Sequence, residues 1–130
     1  MKASVLLFNF TDKSRVQMIT RALLPLGIKI KRISKEDYLQ PLGFLAGVKE
    51  IAPVEEKYNG EELTEEMLLM AGITGKMVDQ VLLALRKTGI GRINYKAVLT
   101  LTNQYWSAMQ LYQELAKEHE MVTQKINNPH

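Results

Sequence analysis

Residues 5–28, VLLFNFTDKSRVQMITRALLPLGI, lie without a gap over residues 67–90, MLLMAGITGKMVDQVLLALRKTGI. Identities fall at Leu6/Leu68, Leu7/Leu69, Val16/Val78, Ala22/Ala84, Leu23/Leu85, Gly27/Gly89 and Ile28/Ile90. Each copy reads as an apolar strand, a turn, an amphipathic helix, a glycine and the start of a second strand. The glycine stands where a helix C-terminus takes a left-handed residue. Any two βαβ units share this much, since each needs an apolar strand and an apolar helix stripe, so the match does not establish duplication. It does constrain the fold. MLLMAG (67–72) has the Met and Leu content of a helix, and its place in the repeat makes it a strand.

The pattern predicts strands over 4–10, 28–34, 67–72 and 94–100, and helices over 12–26, 75–88 and 103–125. All 130 residues form a single domain: repeat one (4–34), a connection (35–66), and repeat two (67–100) with a C-terminal helix (103–125). The first and third strands are nearly continuous apolar runs, as in strands covered on both faces. IKIKRIS (28–34) carries Lys29, Lys31 and Arg32, which suits an edge strand, where charge discourages aggregation. The connection holds Tyr38, Leu39, Leu42, Phe44 and Leu45, enough for one or two short helices around Pro41, and Asn59 with Glu62 reads as a capping box. A crossover of that length fits an α/β fold: a small parallel four-stranded sheet, order 2-1-3-4, with helices on both faces. The alternative is an α+β ferredoxin-like sheet with an antiparallel neighbour.

Charge is segregated. Residues 1–35 carry Lys2, Lys13, Arg15, Arg21, Lys29, Lys31, Arg32 and Lys35 against Asp12 alone, while residues 36–66 carry nine carboxylates against Lys49 and Lys57. A nucleic-acid binder of this size rarely carries such an acidic block, so binding through 29–35 is the weakest function class. With no cysteine, thiolate catalysis and Cys-based zinc sites are excluded, and a reducing, cytoplasmic setting fits. The apolar run after Lys2 breaks at Asn9, too short for a secretory leader, and no segment reaches a membrane-spanning length.

In a parallel sheet the C-terminal strand ends share one edge, and ligands bind there. Asn9, Thr11 and Asp12, then Gly72, Thr74, Gly75 and Lys76, then Thr100, Thr102 and Asn103 are expected to meet at it, each group at a helix N-terminus. Helix capping by Thr11 or Asp12, Thr74, and Thr102 or Asn103 accounts for much of the same pattern without a ligand. GITGK (72–76) is not a phosphate loop, because Met77 stands where Ser or Thr is needed. Trp106 falls off the apolar face of the last helix, either over a ligand or packed beneath 35–66. His119 points with the apolar face and reads as a buried core histidine; His130 lies in a tail expected to fray. Lys96 opens the last strand, a charged terminus or a site residue. No cofactor and no metal set is indicated.

INYKAVLTLTNQYW…LYQELAKEHE (93–120) resembles a family of short bacterial domains of unknown function, over about residues 66–120. Lys96, Thr100, Thr102, Asn103, Trp106, Glu114, Glu118 and His119 match its pattern; Leu101 replaces a proline frequent between the two threonines. The resemblance implies a bacterial cytoplasmic origin and points to the Thr100–Trp106 corner, but to no reaction. The expectation is a non-enzymatic binding or regulatory domain whose partner is a small molecule, a protein or a second copy in a homodimer. The competing reading is a small-molecule or phosphate-handling enzyme built on Asp12, Lys76 and Thr100.

Overall fold

The computed structural model describes residues 1–127. Its elements are β1 (Ser4–Phe8), α1 (Lys13–Leu23), β2 (Lys29–Ile33), α2 (Leu42–Ala46), β3 (Met67–Ala71), α3 (Lys76–Lys87), β4 (Tyr95–Val98) and α4 (Ala108–Asn127). Short 3-10 turns occupy Leu24–Leu26, Lys35–Asp37 and Asn103–Tyr105. The sheet order is β2-β1-β3-β4, as the sequence predicts. β1 pairs parallel with β2, and β3 parallel with β4, so each repeat forms its own βαβ unit. Gly27 and Gly89, the equivalent glycines of the two units, both have φ 73°. The repeat is therefore real as geometry.

The expectation of a wholly parallel sheet needs one correction. β1 and β3 run antiparallel, with Leu6 opposite Leu69 and Phe8 opposite Met67. The reason lies in what apolar runs encode. β1 and β3 are buried along their whole length. Such runs ask only for cover on both faces, which either direction supplies. Direction is set instead by the connection, which leaves β2 and enters β3 at the same sheet edge, beside Phe8. Asn9 fixes that return: its side-chain amide donates to the carbonyls of Leu63 (2.8 Å) and Glu65 (3.3 Å). It does so from a left-handed φ of 65°, a conformation that asparagine tolerates better than most residues.

Alternation along the strands divides the core. Val5 and Leu7 pack with Ile19 and Leu23 of α1 and Val81 and Leu85 of α3 on one face. Leu6 and Phe8 pack with Tyr38, Leu42 and Ala46 of the connection and Ala108 and Leu111 of α4 on the other. Each such large side chain, fully buried, contributes about 1.5–3 kcal/mol. The connection supplies α2 as expected, but no helix forms at 59–62. Glu62 instead accepts from the Tyr38 hydroxyl (2.7 Å) and the Leu63 amide (2.9 Å). His119 is exposed rather than buried, because burial along α4 falls away after Ala116; its ring lies 5.7 Å from that of Tyr95. His130 lies outside the described residues.

Candidate functional site

The antiparallel pair sends the strand C-termini to two opposite edges. Asn9, Thr11 and Asp12 follow β1 at one edge; Gly72, Thr74, Gly75, Lys76, Thr100, Thr102, Asn103 and Trp106 follow β3 and β4 at the other. The five residues of β1 separate them, about 17 Å at roughly 3.4 Å per residue. Asp12, Lys76 and Thr100 therefore do not converge. Asp12 is exposed and caps α1, accepting from the Ser14 amide at 2.8 Å. Thr11 beside it is also exposed.

At the second edge the polar groups serve the chain's own turns. The Asn103 side chain accepts from the Thr100 amide (2.7 Å) and donates to the Val98 carbonyl (3.0 Å). The Thr100 hydroxyl accepts in return from the Asn103 amide (3.0 Å). This reciprocal pair turns the chain out of β4, and Asn103 is buried within it. Thr102 makes no side-chain cap. Nor does Thr74: Gly75, at φ 51°, is the N-cap of α3. Gly72 is required for another reason, since a Cβ there would meet the Lys2 carbonyl oxygen at 2.9 Å with φ at 69°. Lys76, on the first turn of α3, is exposed.

Trp106 is half-buried against the second core, and its carbonyl accepts from the Leu42 amide at 2.8 Å. It thus packs against the connection, the second of its two expected places. The predicted helix over 103–125 is divided here. Asn103–Tyr105 is a 3-10 turn, and α4 begins at Ala108, after the Ser107 hydroxyl accepts from the Gln110 amide at 3.1 Å. Ser107 and Gln110 have capping-box spacing, the signal that marks this boundary in the sequence. Leu101 and Tyr105 are left outside, 84% and 67% exposed.

Lys96 stands elsewhere, with residues the sequence reading missed. Between the end of α3 and β4 lies a cleft of about 530 Å³. Leu82, Leu85 and Ile93 give it apolar walls; Arg86, Arg92 and Lys96 bring cations, and no carboxylate lines it. Burial lowers the pKa of the Lys96 ammonium below its ordinary value, and the neighbouring Arg92 charge lowers it further. Its Nζ donates to the Ile93 carbonyl. Arg15 steadies the adjoining loop. Its guanidinium donates to the Ile90 carbonyl and holds Glu66 through Nε–Oε2 at 2.9 Å and Nη2–Oε1 at 2.5 Å. Glu66 belongs to the acidic block and Arg15 to the basic one, so this pair joins the two blocks within the fold. The missed signal is GIGRINYK (89–96): two glycines and two cations ahead of an edge strand.

Among the described residues no group of three or more His, Cys, Asp or Glu side chains could hold a metal ion. No described helix is long and apolar enough to cross a membrane. Residues 66–122, less than half of the 130, match a family described as "Domain of unknown function (DUF3783)". The matched stretch runs from the start of β3 into α4 and includes both the Lys96 cleft and the Thr100–Trp106 corner. Neither the curated proteins nor the solved structures give a match to the chain.

Proposed function

We propose that this is a non-enzymatic binding domain of the bacterial cytoplasm, and that it takes a small anionic ligand with an apolar body in the Lys96 cleft. One observation carries the reading: three cations border an apolar hollow that no carboxylate lines, and one of them is partly desolvated. Like charges gathered beside apolar surface are unfavourable for the empty protein and favourable once an anion arrives. Leu82, Leu85 and Ile93 would cover the ligand's body. Arg86 and Arg92 supply planar donors suited to a carboxylate or phosphate, and Lys96 adds a point charge.

The test is a titration of the full chain with aliphatic and aromatic carboxylates and phosphates, followed by amide shifts. Ligand at about 100 times its dissociation constant adds roughly 2.7 kcal/mol of stability. The expected shifts fall on Gly89, Gly91 and Lys96, and Lys96→Met removes the binding. Shifts confined to the Thr100–Trp106 corner, or none anywhere in the panel, would refute the cleft.

A second reading has its own observation. Leu101 and Tyr105 project from a turn that Asn103 makes rigid. Exposed apolar tips on a firm turn suit a protein partner, or a second copy in a homodimer. Of the expected corner, these two side chains rather than Thr100, Thr102 and Asn103 would make the contact.

A further inference from the structure

We propose a second anion site, independent of the Lys96 cleft: a pocket for a tetrahedral oxyanion at the opposite sheet edge, floored by Ser4 and ringed by Lys2, Lys29 and Lys31. The pocket encloses about 210 Å³ and is completed by Ala46 and Gly47 at the end of α2. Ser4 is 3% exposed, and its Oγ has no hydrogen-bond partner among the described residues. A buried hydroxyl left without a partner is unfavourable by about 1–3 kcal/mol, so such groups are few, and each calls for a reason.

The register supplies one. Ser4 pairs with Lys29, and Lys31 stands two residues further along β2, so all three side chains project from the same face. That is the face covered by Ala46. The unpartnered hydroxyl thus lies beneath lysine side chains, in a pocket without a lining carboxylate. Lys31 Nζ reaches the Leu45 carbonyl at only 3.4 Å, a long bond that leaves its other protons for an incoming oxygen. Lys29 is exposed at the mouth, and Lys2 approaches from the segment before β1. A hydroxyl donor below and ammonium donors above match the acceptor-only oxygens of phosphate or sulfate. The volume admits such a group with room to spare, either as the free ion or as the terminal phosphoryl of a larger molecule outside.

The experiment uses the full chain and three probes: inorganic phosphate, sulfate and glycerol phosphate, with chloride held constant. Amide shifts are expected at Ser4, Lys29, Lys31 and Gly47. Ser4→Ala and Lys31→Met should each weaken phosphate binding about tenfold, the scale of one hydrogen bond to a charged group. Asp79→Asn, on the exposed side of α3 and outside both sites, should leave the shifts at these four residues unchanged. Those four lie apart from Gly89, Gly91 and Lys96, which separates this site from the cleft whichever reading of the cleft holds. Equal affinity for inorganic phosphate and glycerol phosphate supports a free ion; tighter binding of the ester supports a phosphoryl group. Without phosphate, Ser4→Ala should be at least as stable as the parent. A loss of stability there would mean that the hydroxyl has a protein partner, and would overturn the proposal. So would phosphate shifts that ignore Ser4→Ala, or no shift at these four residues with any probe.

Discussion

The Thr100–Trp106 corner and the Lys96 cleft both end or begin β4, and both are rich in polar side chains, but they treat those groups differently. At the corner the Asn103 amide meets two backbone partners and the Thr100 hydroxyl a third. In the cleft, Arg86 and Arg92 are exposed and Lys96 carries an ammonium that its surroundings disfavour. One region has its polar groups satisfied by the chain; the other holds charge without lining counter-charge. Polar density in a sequence therefore does not identify a site. What matters is whether the partner of each group is already in the fold.

Three substitutions sharpen that contrast, in falling order of effect. Asn103→Ala should destabilise the domain by about 2–3 kcal/mol, since it leaves the Thr100 amide and Val98 carbonyl without their partner in a part-buried turn. Denaturant unfolding measures this, and ligand binding in the cleft should survive in the folded fraction. A change under about 0.5 kcal/mol would mean that the turn does not depend on Asn103. Arg15→Ala comes next, at about 1–2 kcal/mol. The Arg15–Glu66 pair is about one-quarter exposed, so its strength is screened, yet it also ties down the loop at Ile90. Amide exchange over 88–92 should quicken more than elsewhere; a uniform change would show that Arg15 does not hold that loop.

Lys96→Met should alter stability least at neutral pH, and its signature is pH dependence. The folded-state pKa of Lys96 lies below the ordinary lysine value of 10.5, lowered by burial and by the neighbouring Arg92 charge. Its charged form is thus unfavourable in the folded state at low pH, and that penalty is relieved as pH rises through the folded value toward 10.5. Parent minus Lys96→Met stability should therefore climb on the alkaline side. Tyr38 acts in the opposite sense: burial, then its bond to Glu62, raise its pKa, and the resulting stability is lost at higher pH. Subtracting the variant removes that common contribution. A flat difference would place Lys96 in water.

Much of the fold is legible in the sequence. Equivalent apolar runs, paired glycines and a charged edge strand yield the strand order and the two-faced core. Strand direction is not legible, because burial on both faces leaves β1 and β3 without the alternation that reports it. The information lay in Asn9, which reads as a site residue or a strand breaker until Leu63 and Glu65 are seen beside it. That single misdirection brought the end of β1 in expectation to the ends of β3 and β4, which the fold places at the opposite edge. The cleft was half-visible through Lys96. Its other cations, Arg86 and Arg92, come from a helix end and a loop that no sequence motif links.

The anchoring of Asn9 to Leu63 and Glu65 has a consequence for how the chain tolerates change in length. Both ends of the 34–66 segment are pinned at one edge, so the segment behaves as a closed loop whose entropy grows only slowly with size. Doubling such a loop costs about 0.6 kcal/mol. Between the buried Ile51 and the buried Leu63, residues 52–62 lie almost wholly at the surface. Insertions at the exposed residues 55–57, clear of the Gln40–Val54 and Tyr38–Glu62 hydrogen bonds, should leave the sheet, the cleft and the oxyanion pocket with their geometry. Tolerance of added length thus lies in a part of the molecule that the two proposed sites do not use.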